Sequence, residues 1–424
     1  MSKDTDASTL PPHYRWNFVA FLVDFASFGV AFAFVNLTSV LPAFVRQLTD
    51  SAPLVGLINT VFQGGWLLPQ LAVARLINDK PRKKPYLLAG LSGRIVWWAL
   101  TLALWTGLAR HSTAMLTLFF VGLGLWAVTD GITSVAWFDI LARAIPPKRR
   151  SRLIGTGQFI SGLAGIGVGA LVGLILERHP FPYDYALLFT LASVGFIAST
   201  VGAASIREPP PEEEGPQADE QMKGNWLRIL VADPAFRHLM ACRMLIGMIG
   251  LASPFYVGYA SAVLRLPERT IGGFVVAQTV AGMVASIVLS LISERWGPRR
   301  VICVGSAFAA IGPAFALAVH LAGGDRLAPA YPIVYASLGV ANCIWMLGFF
   351  NHMLEIAPDN MRPAYVGMGN TIMGLLTLTP MAGGWLLEKT SYTTLFGVTG
   401  AFVATGFVLT LGLKPSQQLT QDPH

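Results

Sequence analysis

Residues 144–158 read AIPPKRRSRLIGTGQ, and residues 356–370 read IAPDNMRPAYVGMGN. The two stretches align without a gap. Pro146 falls on Pro358, Arg150 on Arg362, Gly155 on Gly367, Gly157 on Gly369 and Gln158 on Asn370. Each is a charged, proline-bearing bend followed by glycines, set between long apolar runs. A repeat at this distance implies that the chain is built twice, and the runs on either side show what is doubled.

Of the 424 residues, 54% are hydrophobic and only 12% are charged, against about a quarter charged in an ordinary soluble protein. The apolar runs cover roughly 17–45, 53–76, 86–108, 112–143, 153–177 and 185–205, then 235–263, 270–293, 300–321, 330–355, 364–387 and 392–412. Each is long enough for the ~30 Å hydrocarbon core, which takes about 20 helical residues. The backbone must satisfy its own polar groups in lipid, so these runs are expected to be helices. The fold class is therefore an all-α polytopic membrane protein with twelve transmembrane helices in two homologous six-helix halves. The expected organisation is a tail at 1–16, a bundle at 17–206, a linker at 207–233, a second bundle at 234–412 and a tail at 413–424.

The net charge of +7 does not point to nucleic acid, because its basic residues sit in alternate connections: DKPRKK at 79–84, PPKRRSR at 146–152 and ERWGPRR at 294–300. The opposite connections, such as LTDSAP and AGGDR, carry fewer. Under the positive-inside rule the basic set and both termini face the cytoplasm of a plasma membrane, here expected to be a bacterial inner membrane. The acidic, proline-rich interval REPPPEEEGPQADEQMKGN reads as a disordered linker. Cys242, Cys303 and Cys343 lie inside apolar runs and read as small core residues, without metal-ligand spacing. No GxxxxGK[ST], HExxH or GxSxG run occurs. The expectation is therefore no catalytic residue, no cofactor, no metal and no enzyme activity.

A weaker repeat supports the doubling. INDKPRKK at 77–84 echoes ISERWGPRR at 292–300, with Asp79 and Lys80 opposite Glu294 and Arg295. Twelve crossings, two halves and these basic connections resemble the major facilitator superfamily. That family's signature between crossings two and three pairs an acid with basic residues around a glycine. The second half keeps Glu294, Arg295, Gly297, Arg299 and Arg300, whereas the first half has Arg82 where the glycine is expected. The resemblance implies alternating access, a central site built largely by crossings 1, 4, 7 and 10, and acid–base latches at the cytoplasmic ends. Asp79 and Glu294 are then the latch acids, with Lys83, Lys84, Arg150, Arg295, Arg299, Arg300 and Arg362 as partners and Asp139 near the mouth. The plainer reading of the basic residues is that they only anchor orientation. The glycines of the fifth crossing, at 162, 165, 167, 169 and 173, lack the proline of the family's antiporter motif and are read as packing residues.

Charges within the hydrocarbon region pair or line a wet path. Asp24, Arg94, Asp130 and Arg243 are the candidates for substrate binding or coupling. Arg94, on the third crossing, lies outside the central set that the resemblance implies. Asp24 and Arg243 stand at similar depths in the first and seventh crossings and could share an anion–cation site, or each could be a structural charge. Asn342 adds a neutral hydrogen-bonding group, and Trp66, Trp137 and Trp345 are read as flat cavity walls. The expected function is secondary active transport of a small organic or amphipathic solute, with proton coupling as a candidate mechanism and with membrane lipids as neighbours. A monomer suffices, since one chain contains both halves. The alternatives are a lipid or amphipathic-drug translocase and, in another class, a non-transporting membrane sensor or scaffold.

Overall fold

A computed structural model describes residues 11–78, 80–210, 233–323, 327–358 and 362–414, and among these residues the secondary structure is entirely helical. The helices are α1 (Tyr14–Phe34), α2 (Ala52–Asn78), α3 (Lys84–Trp105), α4 (Ser112–Ala144), α5 (Pro147–Arg178), α6 (Tyr183–Ser205), α7 (Pro234–Ala262), α8 (Thr270–Trp296), α9 (Pro298–Leu321), α10 (Ala328–Ile356), α11 (362–389) and α12 (Tyr392–Leu411). Among the described residues, ten stretches are long and apolar enough to cross a membrane. The helices α2 and α11 occupy the expected second and eleventh crossings, α11 as two helical pieces joined by a 3₁₀ turn at Leu375–Leu378. Large apolar side chains stand exposed along the helices, among them Leu68, Ile95, Leu102, Val121, Val201 and Ile287. Such a surface would be an aggregation hazard in water but is what lipid requires. The chain is an integral membrane protein.

Local sequence sets the helix ends. Proline opens α5, α7 and α9, where its missing N–H costs nothing. Asp233 caps α7 by accepting from the N–H groups of Ala235 at 2.9 Å and Phe236 at 3.0 Å, satisfying donors that no helical carbonyl can reach. The expected first crossing does not run unbroken to residue 45. It stops at Phe34, and a separate helix, Val40–Leu48, follows. The interruption carries Asn36, Thr38 and Ser39, side chains that compete with helical backbone bonding.

The chain divides into two units. The first comprises Met1–Asn36, Gln47–Thr49 and Val61–Glu213; the second comprises Leu37–Arg46, Asp50–Thr60 and Glu214–His424. The sequence repeat reappears as a packing repeat. In the first unit α1 lies along α6, and α3 packs on α4 and α6. In the second, α7 lies along α12, and α9 packs on α10 and α12. Most of the expected linker, 211–232, lies outside the described residues.

Close helix approach in the first unit depends on particular glycines. A Cβ on Gly202 of α6 would come within 2.6 Å of the Asp24 amide nitrogen on α1, and one on Gly131 of α4 within 2.6 Å of the Trp66 carbonyl on α2. Small residues let helices in lipid bring their backbones together, where no hydrophobic force is available to press them. The repeated bend uses the same device. A Cβ on Gly157 would strike the Phe25 ring at 2.6 Å, while one on Gly369 would sit 3.0 Å from Met353 Sδ and 3.8 Å from an Arg243 nitrogen.

The chain leaving α6 is strapped to its unit. Asn17 and the backbone of Arg207 exchange two hydrogen bonds of 2.8 Å. The Glu208 carboxylate accepts the N–H groups of Lys83 at 2.7 Å and Lys84 at 3.1 Å, at the start of α3. It also accepts from Arg143 of α4 at 2.8 Å. A carboxylate at a helix N-terminus meets orphan donors and the positive end of the dipole. Burial pushes the Glu208 carboxyl up, but the Lys83 N–H, the Arg143 guanidinium and the Lys84 N–H outweigh it and hold the group below its ordinary value.

Two outcomes follow for purified protein. Gly202→Val should lower the melting temperature, since overpacking against backbone costs about 1–3 kcal/mol; an unchanged melt would refute the close-approach reading. A carboxyl with a depressed folded pKa stabilises above its unfolded value and loses that stability as pH falls through the folded one. Wild-type stability should therefore drop as pH falls below about 4.3, the ordinary glutamate value. Melting curves of Glu208→Gln across this range should show a smaller drop.

Candidate functional site

Charges deep in the first unit form one connected network. Asp24 of α1 is 5% exposed and Arg94 of α3 is 8% exposed. One guanidinium nitrogen of Arg94 stands 3.8 Å from Asp24 Oδ1. The other donates to Ser199 Oγ at 2.9 Å and Thr200 Oγ1 at 3.0 Å on α6, and Ser199 in turn donates to Asp24 Oδ1. Trp137 of α4 donates its indole N–H to Asp24 Oδ2 at 2.7 Å. Arg94 also lies 5.4 Å from the Phe28 ring centroid. The 3₁₀ turn at Ser92–Arg94 interrupts α3 at the residue that carries the charge.

Asp130 of α4 is half-buried and forms no ion pair with Arg94 among the described residues, but it lies in the field of the same charges: Arg94 attracts it and Asp24 repels it. The indole of Trp137 is a carboxylate donor. With one guanidinium for two carboxylates, the cluster carries an excess negative charge whenever both are ionised. Burying net charge costs several kcal/mol per ion even after relaxation. The arrangement can bind a proton, and it can also exchange hydrogen-bond partners among α1, α3, α4 and α6.

The second unit holds a complementary feature. Arg243 of α7 is 6% exposed, and its guanidinium carbon lies 3.1 Å from the centroid of the Trp345 ring on α10. One of its terminal nitrogens is buried without a hydrogen-bond partner. The helix is regular to Gly247, one turn beyond Arg243, and then gives way to 3₁₀ turns at Met248–Leu251 and Ser253–Phe255. Trp345 opens a six-residue π segment, Trp345–Phe350, within α10. Local π geometry and broken membrane helices both recur at functional sites. Asn342 is exposed, three residues before Trp345.

The structure therefore joins Asp24 to Arg94 and gives Arg243 an aromatic neighbour. The expected latch residues have varied surroundings. Asp139 pairs with Arg143 one turn along α4, at 2.7 Å. The Lys83 ammonium donates to the Ile77 carbonyl, and that of Lys84 to the Ile206 carbonyl at 2.7 Å. Arg150 donates to the carbonyls of Ile145 and Ala142, closing the end of α4. Arg299 donates to the Leu411 carbonyl at 3.0 Å, and Arg300 lies over Trp296. Glu294 and Arg295 are exposed. Asp79 and the side chain of Arg362 lie outside the described residues. Sequence reasoning passed over Ser199, Thr200, Arg143 and Glu208. The adjacent hydroxyls Ser199 and Thr200 in an otherwise apolar run were the available signal. Among the described residues no three His, Cys, Asp or Glu side chains group to hold a metal ion.

Comparison with known proteins places this geometry. An uncharacterized Mycobacterium tuberculosis protein is 21% identical over 291 residues, 67% of this chain and 55% of its own length. This chain thus spans about half the length of that relative. "Probable anion transporter 6, chloroplastic" of Arabidopsis thaliana is 29% identical over 167 residues, 38% of this chain and 29% of its own. The crystal structure of a bacterial homologue of the iron transporter ferroportin, in an inward-facing state, superposes with a TM-score of 0.72 at 14% identity, covering 94% of this chain and 98% of that one. The profile of the Major Facilitator Superfamily matches residues 23–376 and 246–424. With two packing-equivalent units and a helical fold shared along nearly its whole length, this chain belongs to the Major Facilitator Superfamily.

Proposed function

We propose that the chain is a secondary active transporter of a small organic solute, working by alternating access and coupled to protons, and that it is not an enzyme. The observation that carries this reading is the first-unit cluster, where the buried Arg94 stands 3.8 Å from Asp24 and attracts the half-buried Asp130 as well. A proton taken up by the carboxylates removes the excess charge, and its release restores it. An equilibrium between two conformations can be biased only by a ligand that interacts differently with each, and a proton that alters the bonding of four helices meets that requirement. Arg243, Trp345 and Asn342 form the solute side of the machinery. The basic connections, with Lys83, Lys84, Arg150, Arg299 and Arg300, face the cytoplasm of the plasma membrane, as do both termini. The clasp of Glu208, Arg143 and Asp139 belongs to that end. One chain suffices for the cycle.

Proteoliposomes with an imposed pH gradient test the proposal against a library of labelled organic solutes. Wild-type protein should concentrate a solute when the gradient is present and only equilibrate it when the gradient is absent. Asp130→Asn should abolish gradient-driven accumulation, by about 10-fold or more, yet keep exchange of solute down its own gradient. Accumulation that persists in Asp130→Asn would refute proton coupling through this cluster. Absence of any uptake by the wild type across the library would count against transport itself.

A further inference from the structure

Arg243 is a buried charge without a countercharge. Among the described residues no acidic group forms an ion pair with it, and one terminal nitrogen lacks any hydrogen-bond partner. Trp345 offsets part of the cost through its ring face, 3.1 Å away. That contact leaves the in-plane N–H groups unanswered. An isolated buried charge is expensive enough that a protein retains one chiefly where something completes it.

The surroundings favour a ligand as the completing group. Gly369 on α11 brings its backbone close to the charge: a Cβ there would lie 3.8 Å from that guanidinium nitrogen, an ordinary contact, and 3.0 Å from Met353 Sδ. The 3₁₀ turn in α7 begins five residues after Arg243, and the π segment of α10 begins at Trp345 itself. Both helices therefore depart from regular geometry beside the unpaired charge. A planar guanidinium lying over an aromatic ring keeps its edge free, and the geometry that matches this edge with two parallel hydrogen bonds is a carboxylate.

We propose that Arg243 and Trp345 bind the carboxylate of an organic anion, which is the solute carried; this rests on the transporter reading above. The guanidinium edge holds the carboxylate, and the indole fixes the plane in which it docks. The contrast with Arg94 is chemical. Arg94 already has the Asp24 carboxylate and the Ser199 and Thr200 hydroxyls, whereas Arg243 waits for an acid from outside.

Thermal melts of the full chain in nanodiscs of neutral lipid test this, with acetate, lactate, succinate and benzoate each compared with its amide at matched ionic strength. A ligand that binds only folded protein raises the melting temperature. At least one carboxylate should stabilise the wild type while its amide does not. Arg243→Lys should weaken that binding about 10-fold or more, and Arg243→Met should eliminate it. Without ligand, Arg243→Met should melt no lower than the wild type, because it removes an unpaired buried charge. A structural arginine would give the opposite result.

The proposal is overturned if none of these carboxylates stabilises, if the amides stabilise equally, or if the effect survives in Arg243→Met. Stabilisation by inorganic phosphate alone, or by anionic phospholipid alone, overturns the carboxylate assignment as well. Gradient-driven uptake of an uncharged solute without carboxylate binding would sink this inference and leave transport standing. Carboxylate binding lost in Arg243→Met, with no uptake of any solute, would keep the site and sink the transport reading.

Discussion

A buried guanidinium paired with Asp24, in the field of a second aspartate, is the constraint around which the first unit is arranged. In lipid or in a packed helical core, an ionised side chain must find its hydrogen bonds within the protein. Arg94 finds two hydroxyls on α6 and the Asp24 carboxylate on α1, while its Nε is buried without a hydrogen-bond partner and Asp130 of α4 lies in its field. These partners dictate how near the four helices must come. Gly202 admits the backbone of α1 at Asp24, and Gly131 admits the backbone of α2 at Trp66. The indole of Trp137 then completes Asp24. A side-chain network of this kind stiffens a bundle when fully satisfied and loosens it when one member changes its protonation.

The broad architecture was legible in the sequence because lipid permits so few solutions. Long apolar runs, alternate basic connections and the paired bends at Pro146 and Pro358 lead to helices and to two halves. The candidate charges were also legible, since Asp24, Arg94, Asp130 and Arg243 stand out against their apolar surroundings. Their partners were not. Arg94 is 70 residues from Asp24, and small rotations about each helix axis decide which side chains meet. A prior favouring the first, fourth, seventh and tenth crossings ranked Arg94 below Arg243 as a partner for Asp24. The break at residues 35–39 escaped notice because Asn36, Thr38 and Ser39 do not lower the apolar character of the run enough to end it. Glu208 escaped because it sits in a stretch whose composition reads as linker, and only the fold brings it to the start of α3.

The repeated bend, between the fourth and fifth crossings and again between the tenth and eleventh, now has a physical meaning. Gly157 seats α5 against Phe25, the neighbour of Asp24 in sequence, and Gly369 seats α11 beside Arg243. The same glycine lies against the first helix in one half, and in the other against Met353 of α10 and the end of the Arg243 side chain. The two halves have used this inherited geometry for opposite ends. Around Arg94 the first carries carboxylates in excess, and among the described residues Arg243 of the second has no acidic partner. On the proposed reading, a proton would discharge the first and an organic anion the second.

The central claim is that the excess charge of the Asp24–Arg94–Asp130 cluster is removed by a proton held on a carboxylate. Infrared difference spectroscopy of the full-length protein in nanodiscs, with isotope-labelled aspartate and stepped pH, observes that proton directly and needs no knowledge of the solute. The account predicts a protonated-carboxyl stretch that titrates with pH and disappears in Asp130→Asn. A spectrum without such a band, or one unchanged by that substitution, would contradict it.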